Sequence, residues 1–382
     1  MIRIGTRILW CWGLLRVWVP DQALAQPWNV GVEVGLSERY DDNIRLVEEP
    51  GEESDRVTTL APRLSVTYED GADLWAAGYG MTAEWFATNP ELDSIGHDAF
   101  VKAELGRLFG SRTTSLTFTD DFTFTPQLTD PASGVGAPRS DSWINAVLLT
   151  VSHQSSARTT ERIGYANTIS RYELPTLIDH VVHEGTAGVT RVASRRDTLG
   201  ARYRFRYFDV LIEGVESAVD HTVTVEWTRQ LSPSLTLTIE AGAERSRQSR
   251  NQSTEPVGTV RLAKRLKTLS IDAELSRDIA LAGGLSDQLS AAHTASLGAS
   301  YEVTAKLHAD ARARMTDNRS VVGGEVDVTS WTAEAGLSYA IRTWLSADIR
   351  YYRFEQLAQG AAGEDLVQNR YVVTLAWTLP DE

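Results

Sequence analysis

The sequence of 382 residues has one cysteine, Cys11, and three methionines. After residue 25 no run reaches 18 apolar residues, which excludes a membrane-spanning helix. Basic residues are outnumbered, 37 Lys and Arg against 51 Asp and Glu, for a formal net charge of −14. Nucleic-acid phosphates demand a basic footprint, so that class of partner is excluded. Helical periodicity is weak throughout. None of the seven histidines offers a metal spacing on one strand face. His180 and His183, three apart, point to opposite sides of a strand, so no metal site is expected. No cofactor motif is present.

The first 25 residues read as a secretory signal peptide. Arg3 and Arg7 form its charged region, residues 8–19 its apolar core, and Ala23-Leu24-Ala25 a small-x-small cleavage site, with the cut between Ala25 and Gln26. A retained anchor is the alternative, but the apolar run is too short to span a bilayer. Cys11 is not a lipoprotein cysteine, because Trp10 precedes it where a small residue is needed. Removing this leader takes away Arg3, Arg7, Arg16 and Asp21 and leaves 34 basic against 50 acidic residues. It also leaves no cysteine, which fits an oxidising compartment without a disulfide framework.

What the remaining chain has in abundance is period-two alternation. Runs of about ten residues rich in Thr, Val, Tyr, Leu and Ala recur to its end. In 235–245, Leu235, Leu237, Ile239, Ala241 and Ala243 alternate with Thr236, Thr238, Glu240, Gly242 and Glu244. The last run places Tyr371, Val373, Leu375, Trp377 and Leu379 on one face. Such a strand at the end of a chain is a sticky edge unless another strand closes on it. Connections alternate between short (69–73, 109–112, 154–159, 194–197, 232–234, 266–268, 304–306, 341–343) and long (41–56, 87–98, 125–142, 173–180, 209–220, 246–253, 281–291, 318–327, 356–368).

Long spanning strands, turns on one rim and loops on the other predict an all-β fold. It is a transmembrane antiparallel up-and-down barrel of about eighteen strands, covering residues 26–382 as one domain. Sixteen strands result if the boundaries near 109–124 and 254–265 are drawn differently. Both termini fall on the short-turn rim, which in such barrels faces the periplasm. The closing strand is expected to lie beside Val30 to Leu36, with outer-membrane lipid around the wall. It also has the form of a C-terminal signal for the barrel-insertion machinery. A soluble β-sandwich or propeller would give the same alternation, but would rarely keep the loop asymmetry through nine hairpins.

If the apolar face meets lipid, the other face lines the lumen. The pore-lining candidates are Arg202, Arg204, Arg206, Glu240, Glu244, Asp272, Glu274, Asp310, Arg312, Arg314, Asp348, Arg350 and Tyr352. Read functionally, these rows guide a polar or anionic solute. The bland reading is that they pair across neighbouring strands. The long connection 125–142 either folds inward to narrow the pore or stays a mobile outer loop. Asp41-Asp42-Asn43 and Asp120-Asp121 could bind calcium, but a hydrated loop edge is the commoner reading, since no full set of oxygen ligands surrounds them. His153-Gln154-Ser155 echoes an outer-membrane lipase motif, but it lies at a short turn, where the nucleophile would be misplaced. No enzyme activity is expected.

The opening Val32-x-Val34-x-Leu36-Ser37-Glu38-Arg39-Tyr40-Asp41-Asp42-Asn43-Ile44 resembles the first strand of the putative beta-barrel porin 2 family. An acidic loop (Glu52-Glu53-Ser54-Asp55), a Pro-bearing second strand (Thr58 to Leu64) and the Asn369 to Pro380 ending fit the same pattern. Leu379 stands where that family usually has Phe. The resemblance implies an outer-membrane barrel, some members of which serve exopolysaccharide or capsule secretion. On that implication the first functional reading is an exit porin for a polymer, with a periplasmic polysaccharide-export partner. The alternative is a passive diffusion porin for small polar or anionic solutes. An outer-membrane enzyme or adhesin is the third.

Overall fold

The computed structural model describes residues 28–125, 129–130, 135–136, 139–175, 177–211, 217–248, 251–281, 289–321, 326–359 and 364–379. The leader, with Ala25 and Gln26, lies outside the described residues. Eighteen long strands form one antiparallel sheet. In chain order they are β1 (Trp28–Asp41), β2 (Asp55–Asp70), β3 (Asp73–Phe86), β4 (Ser94–Leu105), β5 (Thr114–Thr125), β6 (Ser142–Ser156), β7 (Thr159–Tyr172), β8 (His180–Val192) and β9 (Asp197–Val210). There follow β10 (Ala218–Ser232), β11 (Leu235–Gln248), β12 (Asn251–Arg265), β13 (Leu269–Leu281), β14 (Leu289–Thr304), β15 (Leu307–Ser320), β16 (Asp327–Arg342), β17 (Leu345–Ala358) and β18 (Leu366–Thr378). Each strand pairs with the next, and β18 pairs with β1, so the sheet closes into a barrel. A small pair, Thr129–Asp130 with Val135–Gly136, stands apart from the wall.

Each inner-face parity read from the sequence is kept by the register. Directly opposed residues share a face, and Leu36↔Leu375, Ala201↔Val225, Ala241↔Val225 and Leu337↔Ile349 are such pairs. Their outward character is plain from exposure: Ile163 is 68% exposed, Val225 and Leu275 61%, Ile349 59%. A continuous belt of bare aliphatic side chains is unfavourable in water and favourable in hydrocarbon. The architecture is that of an outer-membrane β-barrel.

The belt has a girdle on each side. Toward the short-turn rim it ends at Trp28, Trp75, Tyr301, Tyr339 and Trp344, all exposed, with the Trp28 ring tilted against Tyr68 at 4.7 Å. Toward the long-loop rim it ends in a ring of polar side chains held by tyrosines. Tyr79, Tyr165 and Tyr203 hydrogen-bond through their hydroxyls to Nδ1 of His97, His183 and His221 at 2.7, 2.9 and 2.7 Å. Each partner lies eighteen residues further on, across one hairpin. Tyr351 does the same to Asn369 at 2.8 Å. Asp120, paired with Asn145 at 2.7 Å, belongs to this outer ring, whereas Asp121 faces the lumen. This disposes of a shared calcium site at Asp120-Asp121.

The strands run 12 to 16 residues, longer than the 9–11 needed to cross. The surplus rises beyond the belt on the long-loop side, where polar residues pair with polar residues and no alternation marks a strand. Two expected boundaries shift for that reason. The ladder of β11 and β12 continues to Gln248↔Asn251, so most of 246–253 is strand rather than loop. β4 begins at Ser94, five residues before its expected start. The short turns are built by hydroxyl side chains. Ser194 Oγ accepts from the backbone N–H of Arg196 and Asp197, and Thr304 Oγ1 from Lys306 and Leu307. These are the local bonds that make Ser and Thr turn formers.

Closure uses a register displaced from the expected one. β18 lies beside Glu33–Asp41, from Glu33↔Thr378 to Asp41↔Arg370, so it meets the expected partner segment at 33–36 and runs five residues further toward the long-loop rim. Val34↔Trp377 and Tyr40↔Tyr371 bracket the outward pairs, and Leu379 N–H donates to Val32 at 2.9 Å. At the long-loop end the seam is clasped by polar side chains. Asp42 accepts from the backbone and side chain of Asn369 at 2.6 and 2.7 Å. Gln368 Nε2 donates to Asp41 at 3.0 Å and to Asn43 O at 2.8 Å. Asn43 Nδ2 donates to Val47 O and Val367 O at 2.8 and 3.0 Å. Asp41-Asp42-Asn43, read from sequence as a loop edge, is half of a latch. Asp42→Ala with Asn369→Ala removes two of its charge-assisted bonds. The double variant should lose about 2–4 kcal/mol of stability, read as a lower midpoint in urea unfolding from lipid vesicles. An unshifted midpoint would count against the latch.

Candidate functional site

Inner-face side chains gather into three groups. The first is on β9–β13. Arg202, Arg204 and Arg206 stand in a row on β9, and each meets a carboxylate. Arg202 pairs with Glu240. Arg204 reaches Glu244 at 3.0 Å and Asp278 at 2.7 Å, and Arg206 reaches Asp220 at 2.9 Å and Glu244 at 3.0 Å. Asp220 and Glu244 are wholly buried. The guanidinium forks of Arg204 and Arg206 supply the partners that carboxyl groups so far from solvent require.

The contact between Arg204 and Asp278 joins β9 to β13, four strands away, so the wall must curl sharply. The register shows how. The β12–β13 ladder stops at Gly258↔Arg277, although β12 stays paired with β11 to its tip and β13 with β14 to Leu281. Above that point β13 leaves β12 and leans on β9, where Arg206 Nη2 donates to Ile279 O at 2.6 Å. Ile279 then packs with Phe208, Ala218, Val257 and Leu289. Arg277 bridges the split. Its guanidinium bonds to Pro256 O and, at 2.7 Å, to Glu255, and its Nε lies 3.0 Å from His293 Nε2. Pro256 sits at the split and has no N–H for a ladder. A cavity of about 230 Å³ lies under the curl, lined by Arg202, Arg204, Glu240, Glu274, Arg277 and Asp278 with Thr222, Thr224 and Thr259.

Lower on the same wall Arg261 pairs with Glu274 at 2.8 Å and Arg265 with Asp272 at 2.8 Å. The second group is on β15–β17. Arg350 meets Glu334, Asp310 at 3.5 Å and Asp348 at 3.4 Å. Arg312, one step from Asp310 on the inner face, is exposed and makes no ion pair among the described residues. Arg314 shares that face and is half-buried.

The third group lies at the seam and mouth. Arg370 is 3.2 Å from Asp41, and Arg39 3.0 Å from Glu84. Residues 42–54 fold into the mouth and bury Ile44 against Val57 and Phe86, and Leu46 against Phe354 and Leu366. Leu46 adopts φ +51° to do so, an arrangement costing about 1–2 kcal/mol that burial offsets. Tyr352 lies under Leu46, with the Arg370 guanidinium 5.5 Å from its ring. It is no open platform for a sugar ring. From the expected pore loop, Arg139 reaches the inner wall, donating to Ser94 Oγ at 2.9 Å and Leu92 O at 3.2 Å, beside Glu84. Burial pushes its guanidinium below its ordinary range, against the pull of Glu84. Residues 126–128, 131–134 and 137–138 of that loop lie outside the described residues.

All thirteen candidates thus sit on the inner face, but they do not form one site. Arg202, Arg204, Arg206, Glu240, Glu244 and Glu274 converge. Asp272, Tyr352 and the Arg350 group are elsewhere on the wall. Sequence reasoning missed Asp220, Asp278, Arg370, Arg39 and Glu84. Strand parity alone would have put each in the lumen. Among the described residues no group of His, Cys, Asp and Glu could hold a metal ion. His153 faces outward at the short-turn rim, 2.9 Å from Thr114 Oγ1.

The sequence matches no family model and no curated protein. The backbone is similar to crystal structures of OccK2 (OpdF) of Pseudomonas aeruginosa. In its complex with glucuronate, OccK2 shares 12% identity over 92% of this chain and 98% of that chain, with a TM-score of 0.52. Without ligand the values are 12%, 92%, 98% and 0.51. OccAB3 of Acinetobacter baumannii is 10% identical over 92% of this chain and 99% of that chain, with a TM-score of 0.49. At such identity the likeness shows the fold, a full-length barrel of this type.

Proposed function

We propose that this barrel is a passive outer-membrane channel for small polar solutes, with its short-turn rim and both termini facing the periplasm. The observation that carries the reading is the closed eighteen-stranded wall with a charged, ion-paired inner face. A barrel of that girth is too wide for its own side chains to fill. Paired rows keep the lumen polar without fixing a strong field of one sign, so solutes are guided rather than trapped. Small carboxylates are the first class to test. OccK2 was crystallised with glucuronate, and Arg312, exposed and without an ion pair among the described residues, offers a guanidinium to such a group. Polymer exit rests on the resemblance to the porin family alone. The inward fold of 42–54 and the covered Tyr352 lend it no support.

Purified protein in planar bilayers should give stepwise conductance, and proteoliposomes should swell in glucuronate. Arg312→Glu should cut glucuronate entry several-fold and shift the reversal potential toward cations, because it replaces a cation with an anion. Absence of conductance steps from heat-modifiable, folded protein would sink the channel reading. A deletion strain that lost surface polysaccharide while taking up solutes normally would restore the polymer reading.

A further inference from the structure

The outward ring on the long-loop side carries charge that the lumen does not explain. Most of its arginines are neutralised on the spot. Arg171 pairs with Asp179 at 2.8 Å, Arg319 with Asp317 at 3.2 Å, Arg353 with Glu355 at 2.9 Å, and Arg277 with Glu255. The face of β10 and β11 differs. His221 and Arg245 are directly opposed in the ladder, and Arg247 stands one step higher beside Val219. All three are exposed, and neither arginine makes an ion pair among the described residues. Arg245 is steadied by a neutral partner, donating to Gln252 at 3.1 Å. His221 is held by the Tyr203 hydroxyl at Nδ1 and by the Phe205 ring at 5.2 Å, leaving Nε2 directed elsewhere. Asp209, outward on neighbouring β9, accepts from Ser217 at 3.1 Å.

Immediately below this cationic group begins bare hydrocarbon surface. Val223 and Val225 are 58% and 61% exposed, with Ala241 and Ala243 opposite them. Two fork-shaped donors above an aliphatic face match a phosphate head above acyl chains. We propose that His221, Arg245 and Arg247 form a docking site for a phosphorylated lipid of the surrounding leaflet, with its phosphate on the two guanidinium groups and its chains along Val223, Val225 and Ala243. Guanidinium suits phosphate because its parallel N–H groups meet two oxygens at once. An arginine near an anionic headgroup strengthens binding about fivefold. A free anion would gain nothing from the aliphatic face, so the lipid is the committed occupant.

The test is native mass spectrometry of the folded barrel in neutral detergent, titrated with dioleoyl phosphatidic acid. One molecule should be retained at least tenfold more tightly than dioleoyl phosphatidylcholine. Arg245→Gln with Arg247→Gln should abolish that preference, whereas Arg353→Gln, whose partner is Glu355, should preserve it. Both variants must keep the heat-modifiable mobility of the parent, which these exposed positions permit. Equal retention of phosphatidic acid by the double variant would overturn the site. Displacement of the lipid by millimolar inorganic phosphate would also overturn it, by showing an anion site indifferent to acyl chains.

Discussion

Replacing Arg206 with alanine should destabilise the barrel by about 3–5 kcal/mol, the cost of breaking a buried ion pair from one side. Arg206 holds Asp220 and Glu244, neither of them accessible to solvent, and donates to the carbonyl of Ile279. Without it Asp220 has no counter-ion, while Glu244 keeps Arg204 and the Thr222 hydroxyl. The tip of β13 also loses one of its ties to β9. Urea unfolding from vesicles, followed by heat-modifiable gel mobility, reads the loss. Arg206→Met, which restores much of the volume but not the charge, should be nearly as harmful. Adding Asp220→Asn to it should recover part of the loss, because the uncompensated charge goes with it. A change below about 1 kcal/mol for Arg206→Ala would mean that the cluster is solvated and not structural.

Deleting residues 371–382 should leave no folded barrel at all. β18 supplies nine register pairs to β1, and its other edge serves β17 from Leu345↔Trp377 to Gln356↔Leu366. Removing it opens two strand edges inside the membrane. Each unsatisfied backbone group there costs several kcal/mol, which no rearrangement of the remaining wall repays. The truncated chain should show no heat-modifiable band and should be degraded. A membrane-inserted, heat-modifiable truncate would falsify this account of closure. The Asp42 and Asn369 variants separate the two parts of the seam. They remove two bonds of the clasp and leave the ladder, so they should weaken the barrel without preventing its formation.

The fold was largely legible because one force writes it into every strand. In β11 the apolar series from Leu235 to Ala243 faces lipid and the series from Thr236 to Glu244 faces the lumen, so a period of two suffices. Legibility ended where lipid ended. Ser246 to Gln248 and Asn251 to Ser253 are strand, but both faces are polar there and nothing in composition separates them from a loop. Ser94 to Asp98 at the start of β4 carries a single large apolar side chain, Ile95, too little to show an alternation.

The candidate site was legible only in part. Parity placed Arg202, Arg204 and Arg206 in the lumen. It could not show that they are bound to carboxylates, because Asp278 lies 74 residues from Arg204 in sequence. That meeting depends on β13 leaving β12 at Gly258 and Arg277. Asp41-Asp42-Asn43 read as a hydrated loop edge, since its partners Gln368 and Asn369 lie at the other end of the chain.

What the sequence determined by itself, then, is the wall: an up-and-down barrel of about eighteen strands, the face each residue takes, and the need for Tyr371 to Leu379 to find a partner. These follow from local alternation against a surrounding solvent that is apolar. The tertiary structure alone decided how the interior is used. The curl of β13, the neutralised arginine row, the covered Tyr352 and the register of the seam come from contacts between distant residues. Such contacts depend on curvature and reach, which no local pattern encodes.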